Sequence, residues 1–233
     1  ASGTGAIHIG NYTGLTSSGG AITLAGGATA TESSPTGYAI NNGATYPNGV
    51  IIGASDLGGN VTVSSGGGNV FIKGSSNNNA AGSDGVKITR GTDIDSGAGT
   101  MTITGTTDGN TNSSAGVEIS PGTSAYANTL QSSNNSTSAI SITGTNTGST
   151  GTDQYGVLIS NTNTGTVFIK ATGANGKIAI NGSTAASATL YGVKLSRFSI
   201  MGKNGVTVNG GKGVLFDSSG SGNTNTLGGD TNN

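Results

Sequence analysis

Short stretches in which apolar and small polar residues alternate recur along the chain: Ala21-Ile-Thr-Leu, Val70-Phe-Ile-Lys-Gly, Met101-Thr-Ile-Thr-Gly, Ile140-Ser-Ile-Thr-Gly and Ile178-Ala-Ile-Asn-Gly. Alternation with period two puts the apolar pair on one face and the polar residue on the other, which predicts half-buried strands. Most of these stretches end in glycine, and ten to twelve residues later another glycine opens the next: Gly26 to Gly37, Gly74 to Gly85, Gly105 to Gly116, Gly144 to Gly156 and Gly182 to Gly192. The strands that follow again resemble one another: Gly85-Val-Lys-Ile, Gly116-Val-Glu-Ile, Gly156-Val-Leu-Ile and Gly192-Val-Lys-Leu. This is an internal repeat of strand and turn. The strands are too short for a sandwich, and clusters of Gly, Asn, Ser, Asp and Thr between them supply turn positions. No window carries the spacing and caps of a helix.

The reading is therefore all-β: a parallel β-helix, or β-solenoid, in which each coil stacks on the one before. The anchors Gly85, Gly116, Gly156 and Gly192 are 31, 40 and 36 residues apart. Two coils of roughly 18–20 residues per repeat fit that spacing, which gives about a dozen coils and a rod of roughly 55 Å at the ~4.8 Å strand separation. The expected core is the inward apolar pair of each strand, as in Val70 and Ile72, Ile103, Val117 and Ile119, Ile140 and Ile142, and Val206 and Val208. Residues 1–216 form one solenoid domain, and 217–233, where the alternation stops, read as a polar tail or linker.

Composition narrows the partners. Glycine contributes 45 of 233 residues, hydrophobic residues 31% and charged residues 8%, so a wide core is excluded and a thin one wound along an axis is expected. The nine Lys and Arg are scattered and the net charge is -1, so no basic stripe invites nucleic acid. No apolar run is long enough for a transmembrane helix. Without cysteine there are no disulfides or thiolate metal sites. A start at Ala1, without a leader, points to a mature or excised piece.

The order Gly-Val-x-Ile, turn, x-Ile-Thr-Ile-x-Gly and polar insertion, clearest from Gly85 to Gly116, resembles the filamentous haemagglutinin type of bacterial exoprotein, the secreted passengers of two-partner secretion and autotransporter systems. The resemblance covers about residues 20–210. It implies a right-handed parallel β-helix outside the cell or on its surface, with adhesive or matrix-forming work and no cofactor.

Candidate chemistry is sparse. A β-helical polysaccharide lyase or hydrolase would need carboxylates converging in one groove. The only close acidic pair is Asp93 and Asp95, with Asp84, Lys87 and Arg90 near in sequence. Lys87 and Glu118 hold the same outward position after Gly-Val, so a salt-bridged surface ladder is the plainer expectation. Asp56, Asp108, Asp153 and Asp217 sit singly in turns, without the array a calcium site requires. His8 has no motif partner. Phe71, Phe168 and Leu158 fall on the outward side of their strands, which marks them as contact residues for a second solenoid, a host protein or a glycan. A further alternative is a carbohydrate-binding or ice-binding module, which aligned aromatics or the recurrent Thr-x-Thr aligned on one flat face would mark. The leading expectation is a non-catalytic adhesin segment or fibre subunit, self-associating end to end or laterally, with no cofactor, metal or membrane insertion.

Overall fold

A computed structural model describes residues 7–10, 12–26, 37–41, 47–53, 60–77, 82–110, 113–121, 126–160, 165–185, 191–217 and 225–228. Among them every regular element is a strand, and every strand pairing is parallel. The first sheet stacks β1 (Ile7–Ile9), β5 (Val50–Ile52), β8 (Val86–Thr89), β11 (Ser114–Ser120), β14 (Gln154–Ile159), β17 (Tyr191–Leu195) and β20 (Val214–Phe216) in that order. The second stacks β2 (Gly14–Thr16), β6 (Val61–Ser64), β9 (Thr92–Asp95), β12 (Asn128–Ser132), β15 (Val167–Ala171), β18 (Phe198–Gly202) and β21 (Thr226–Gly228). The third stacks β3 (Ile22–Leu24), β7 (Val70–Ser76), β10 (Met101–Thr107), β13 (Ile140–Asn146), β16 (Ile178–Thr184) and β19 (Val206–Gly210). Beside β3, at the same level, β4 (Ala39–Asn41) pairs with the far end of β7. The chain visits the three sheets in turn, so the fold is a parallel β-helix of three-strand coils.

One expectation needs correction. Val86, Val117, Val157 and Val193 lie directly on one another in the first sheet, so a repeat of 31 to 40 residues is one coil and not two. Among the described residues there are seven levels and not a dozen, and six steps of ~4.8 Å make that stack roughly 29 Å long. Strands of the second sheet are hard to see in the sequence, so each coil shows two clear strands in place of three. In Thr92-Asp-Ile-Asp a single apolar residue, Ile94, faces inward. The neighbouring inward place is held by Thr92, whose Oγ1 donates to the Thr89 carbonyl at 2.5 Å. Asn128 follows at the same place, and its Oδ1 accepts from Thr92 N–H at 3.1 Å. The extent of the tail changes too, because Thr226–Gly228 pair with β18 and set Leu227 on Ile200.

The core consists of ladders. Ile9, Ile52, Ile88, Ile119, Ile159 and Leu195 stack in one register of the first sheet, and each is almost wholly shielded from solvent. Where the second sheet turns into the third, Ser65, Ser96 and Ser132 replace apolar residues. Each is buried, and Ser96 Oγ and Ser132 Oγ both donate to the Gly99 carbonyl at 2.8 Å. A buried hydroxyl costs little when its hydrogen bond is made.

The paired glycines that mark the repeat meet in space. A Cβ on Gly105 would collide with the carbonyl of Gly116, one on Gly144 with that of Gly156, and one on Gly182 with that of Gly192. There the strands of the third and first sheets run past each other and beyond the core as a pair of arms. Small polar groups fill the space between the arms: Thr107 Oγ1 donates to the Ser83 carbonyl at 2.7 Å, and Asn146 Nδ2 to that of Ser114 at 2.9 Å. The polar insertions of the sequence are thus stacked along with the coils.

Candidate functional site

Outward side chains of the second sheet form two straight ladders. One runs Thr62, Asp93, Thr129, Phe168, Ser199, and the other Ser64, Asp95, Gln131, Lys170, Met201. Strand alternation places them there, since Ile94, Leu130 and Ile169 between them point into the core. Around the acidic pair the face sinks into a shallow depression of about 340 Å³, lined by Thr62, Ser64, Asp93, Asp95, Thr129 and Gln131. Gln131 Nε2 donates to Asp95 Oδ2 at 2.8 Å, and Gly97 N–H donates to Oδ1 at 2.7 Å. Further along the same face, Lys170, Met201 and Lys203 line a smaller depression of about 240 Å³, and the Lys170 ammonium sits 5.0 Å from the centre of the Phe168 ring. The face therefore carries hydroxyl and carboxylate groups at one end and an aromatic with ammonium groups at the other.

Asp84 is not part of it. It lies just before β8 on the first sheet and is wholly buried. Its Oδ1 accepts from Ala115 N–H at 2.9 Å, and its Oδ2 from Lys87 Nζ at 3.0 Å. Lys87 Nζ also reaches Glu118 Oε2, one coil on, at 2.6 Å. Burial pushes the Asp84 carboxyl well above the ordinary aspartate range. Burial alone would lower Lys87, but the carboxylates of Asp84 and Glu118 outweigh it and hold the ammonium above the usual lysine range. The triad sets one ammonium between two carboxyl groups, and it ties two coils together. The ladder of Lys87 and Glu118 expected from the repeat is present, with Asp84 as an added member.

Of the four residues read as a carboxylate cluster, Asp93 and Asp95 share the depression, whereas Asp84 belongs to the triad. Arg90 occupies the corner between the first and second sheets, where its φ is +37°. The three contact candidates point to three different faces. Phe71 is on the third sheet and buried, at 8% exposure, as is Leu158 on the first, at 9%. Leu158 packs with Ala115 and Tyr155 in a small outer cluster. Only Phe168, half-buried on the second sheet, remains on a candidate binding face. Burial, reinforced by Asp153, raises Tyr155 to about 12, with its hydroxyl 3.3 Å from Asp153 Oδ1. Asp217 pairs with Lys194 at 3.2 Å, and Asp56 lies outside the described residues.

The neighbours of the acidic pair had little signal in the sequence. Thr62, Thr129 and Gln131 lie 31 to 38 residues from the aspartates they flank, and only the coil register brings them together. The threonine face is short: Thr102 and Thr104 align with Ser141 and Thr143, but Phe71 and Lys73 interrupt it on one side and Ala179 and Asn181 on the other. Among the described residues no group of three or more His, Cys, Asp or Glu side chains is placed to hold a metal, and no helix is long and apolar enough to cross a membrane. Comparison with protein-family models, with curated proteins and with solved structures gave no match.

Proposed function

We propose that this chain is a non-catalytic structural rod, secreted by a bacterium and acting as a segment of an adhesin or a subunit of an extracellular fibre or matrix. The observation that carries the reading is the in-register stack of three sheets. Such a stack is stiff along its axis and presents outward side chains at a regular spacing from level to level, which suits many weak contacts made at once. In its support, Asp84 is committed to the triad and both Asp95 oxygens accept hydrogen bonds from within the chain.

Negative-stain imaging with sedimentation over a concentration series tests it. Fibres of uniform width, or adhesion of short rods to glycan- or protein-coated surfaces, are expected. Short rods that neither grow nor adhere overturn it. The depression around Asp93 and Asp95 favours one second reading, a polysaccharide-cleaving enzyme. Release of sugar reducing ends or unsaturated products that disappears in Asp93→Asn and Asp95→Asn would establish that reading instead.

A further inference from the structure

The triad of Asp84, Lys87 and Glu118 sits in dry surroundings. On the outer face of the first sheet the register runs Ile51, Lys87, Glu118, Leu158, so apolar side chains flank the two charged ones along the ladder. Exposure falls from 24% for the Lys87 side chain to 13% for Glu118 and 0% for Asp84. Water is kept from the innermost group, and a bond formed there by loss of water is shielded from hydrolysis. The surface pair of Lys194 and Asp217 differs, since both of its side chains are about a quarter exposed, at 23% and 27%.

Asp84 is also fixed from both neighbouring coils. Its N–H donates to Asn48 Oδ1 at 3.0 Å, and its carbonyl accepts from Gly49 N–H at 3.1 Å. From the other side Ala115 N–H donates to Oδ1 at 2.9 Å, which leaves Oδ2 facing Lys87 Nζ at 3.0 Å. One carboxyl oxygen is therefore polarised by a backbone donor, the arrangement that stabilises charge when a nucleophile adds to the carbon. The other lies beside an amine. Glu118 Oε2 approaches that same nitrogen at 2.6 Å, where a carboxylate can act as general base, and the Glu118 carboxyl also shares a hydrogen bond with Asp84. Burial pushes Asp84 towards its protonated, electrophilic form. Lys87 rests as the ammonium, but a step that occurs once per molecule needs only a rare neutral amine held in place.

We propose that Lys87 and Asp84 condense into an intramolecular isopeptide bond, Nζ to Cγ, with Glu118 as the base. Glu118 takes one proton from the Lys87 ammonium, and the freed amine adds to Asp84 Cγ while charge develops on Oδ1 against Ala115 N–H. Glu118 returns that proton to Oδ2, the bond from Cγ to Oδ2 breaks, and water leaves. As the amide forms, Glu118 takes a second proton from the nitrogen and later loses it to solvent. Nothing is oxidised or reduced, and the products are one amide and one water. The exchange replaces a buried ion pair by a neutral amide, which costs less to keep from water. Before the bond forms the triad titrates as an ion pair, and afterwards Lys87 carries no charge. The inference goes beyond the reading as a structural rod and does not rest on it.

Intact mass spectrometry of the folded full chain tests it directly. The expected mass is one water below that of the sequence, trypsin is expected to leave the bond after Lys87 uncut, and fragmentation to place the loss between Asp84 and Lys87. Lys87→Arg, which keeps the cation but not the amine, is expected to show its full mass. Glu118→Gln is expected to slow the appearance of the lighter species in freshly synthesised chain at least about a hundredfold, with circular dichroism unchanged. Gly85 follows Asp84, so a succinimide at that place would lose the same water. It opens in hydroxylamine and leaves Lys87 open to trypsin, and that pattern overturns the proposal. A parent chain at full sequence mass, or a link from Lys87 to Glu118 in place of Asp84, overturns it as well, and an unchanged rate in Glu118→Gln overturns the part given to Glu118.

Discussion

Gly144 and Gly156 face each other with no room for a methyl group between them, so a single atom at this place should undo the arms of a coil. Gly144→Ala is expected to cost about 3 kcal/mol, because the obstacle is backbone and cannot rotate away. Gly14→Ala, where nothing lies within 4 Å, should stay within about 0.5 kcal/mol. Urea unfolding of the two variants checks the contrast. The ion triad makes a second demand at this scale. Lys87→Met leaves two carboxyls beneath the surface without their cation and is expected to cost about 3–5 kcal/mol at pH 7. The folded Asp84 carboxyl has a raised pKa, so the folded chain keeps a proton that the unfolded chain releases above the ordinary aspartate range. Lys87 draws that pKa down in the parent, so it rises further in the variant; the penalty should therefore shrink as pH falls from 7 towards 4, and denaturation midpoints at the two pH values would show it. In the parent protein the folded pKa of Lys87 is raised. Its contribution is present in full below the free lysine value of about 10.4 and is lost as pH rises through the folded one.

At the scale of the element, strands of the first and third sheets could be read from sequence because both inward positions are apolar, as in Val117 and Ile119 or Ile140 and Ile142. Strands of the second sheet were partly hidden. Thr92 and Asn128 are inward and polar, and their side chains are satisfied by backbone groups that no pattern of hydropathy reveals. The candidate site lies on that same sheet, so its aspartates were visible but their neighbours were not. Strand parity puts Phe71 and Leu158 on outer faces, but parity says nothing about what covers an outer face, and both are buried. If the coil is the true unit, removing one should leave a folded protein. Excising residues 157–192 joins Gly156 to Val193, sets Val193 on Val117, and brings Lys194 to the place beside Glu118 that Leu158 now holds. The shortened chain is expected to keep its β-type circular dichroism and a single cooperative transition at a modestly lower temperature. A deletion of half that length breaks the register and should not fold.

For the whole molecule, the direction of the backbone hydrogen bonds matters most. In a stack of parallel coils they run along the stacking axis, so a load applied between the two ends of the stack pulls each bond along its own length and detaches one level before straining the next. This is the weak direction of a sheet, the geometry of a zip and not of a rivet. Each level that opens frees between 31 and 40 residues in the regular part of the stack, or about 100–140 Å of extended chain. Held between a surface and a bead, the protein is expected to lengthen in a series of small, nearly equal steps of that size at low force, and a single large rupture would contradict it. A rod of this kind resists bending when idle and yields by paying out chain when pulled, so that it absorbs a sudden tug without breaking a covalent bond.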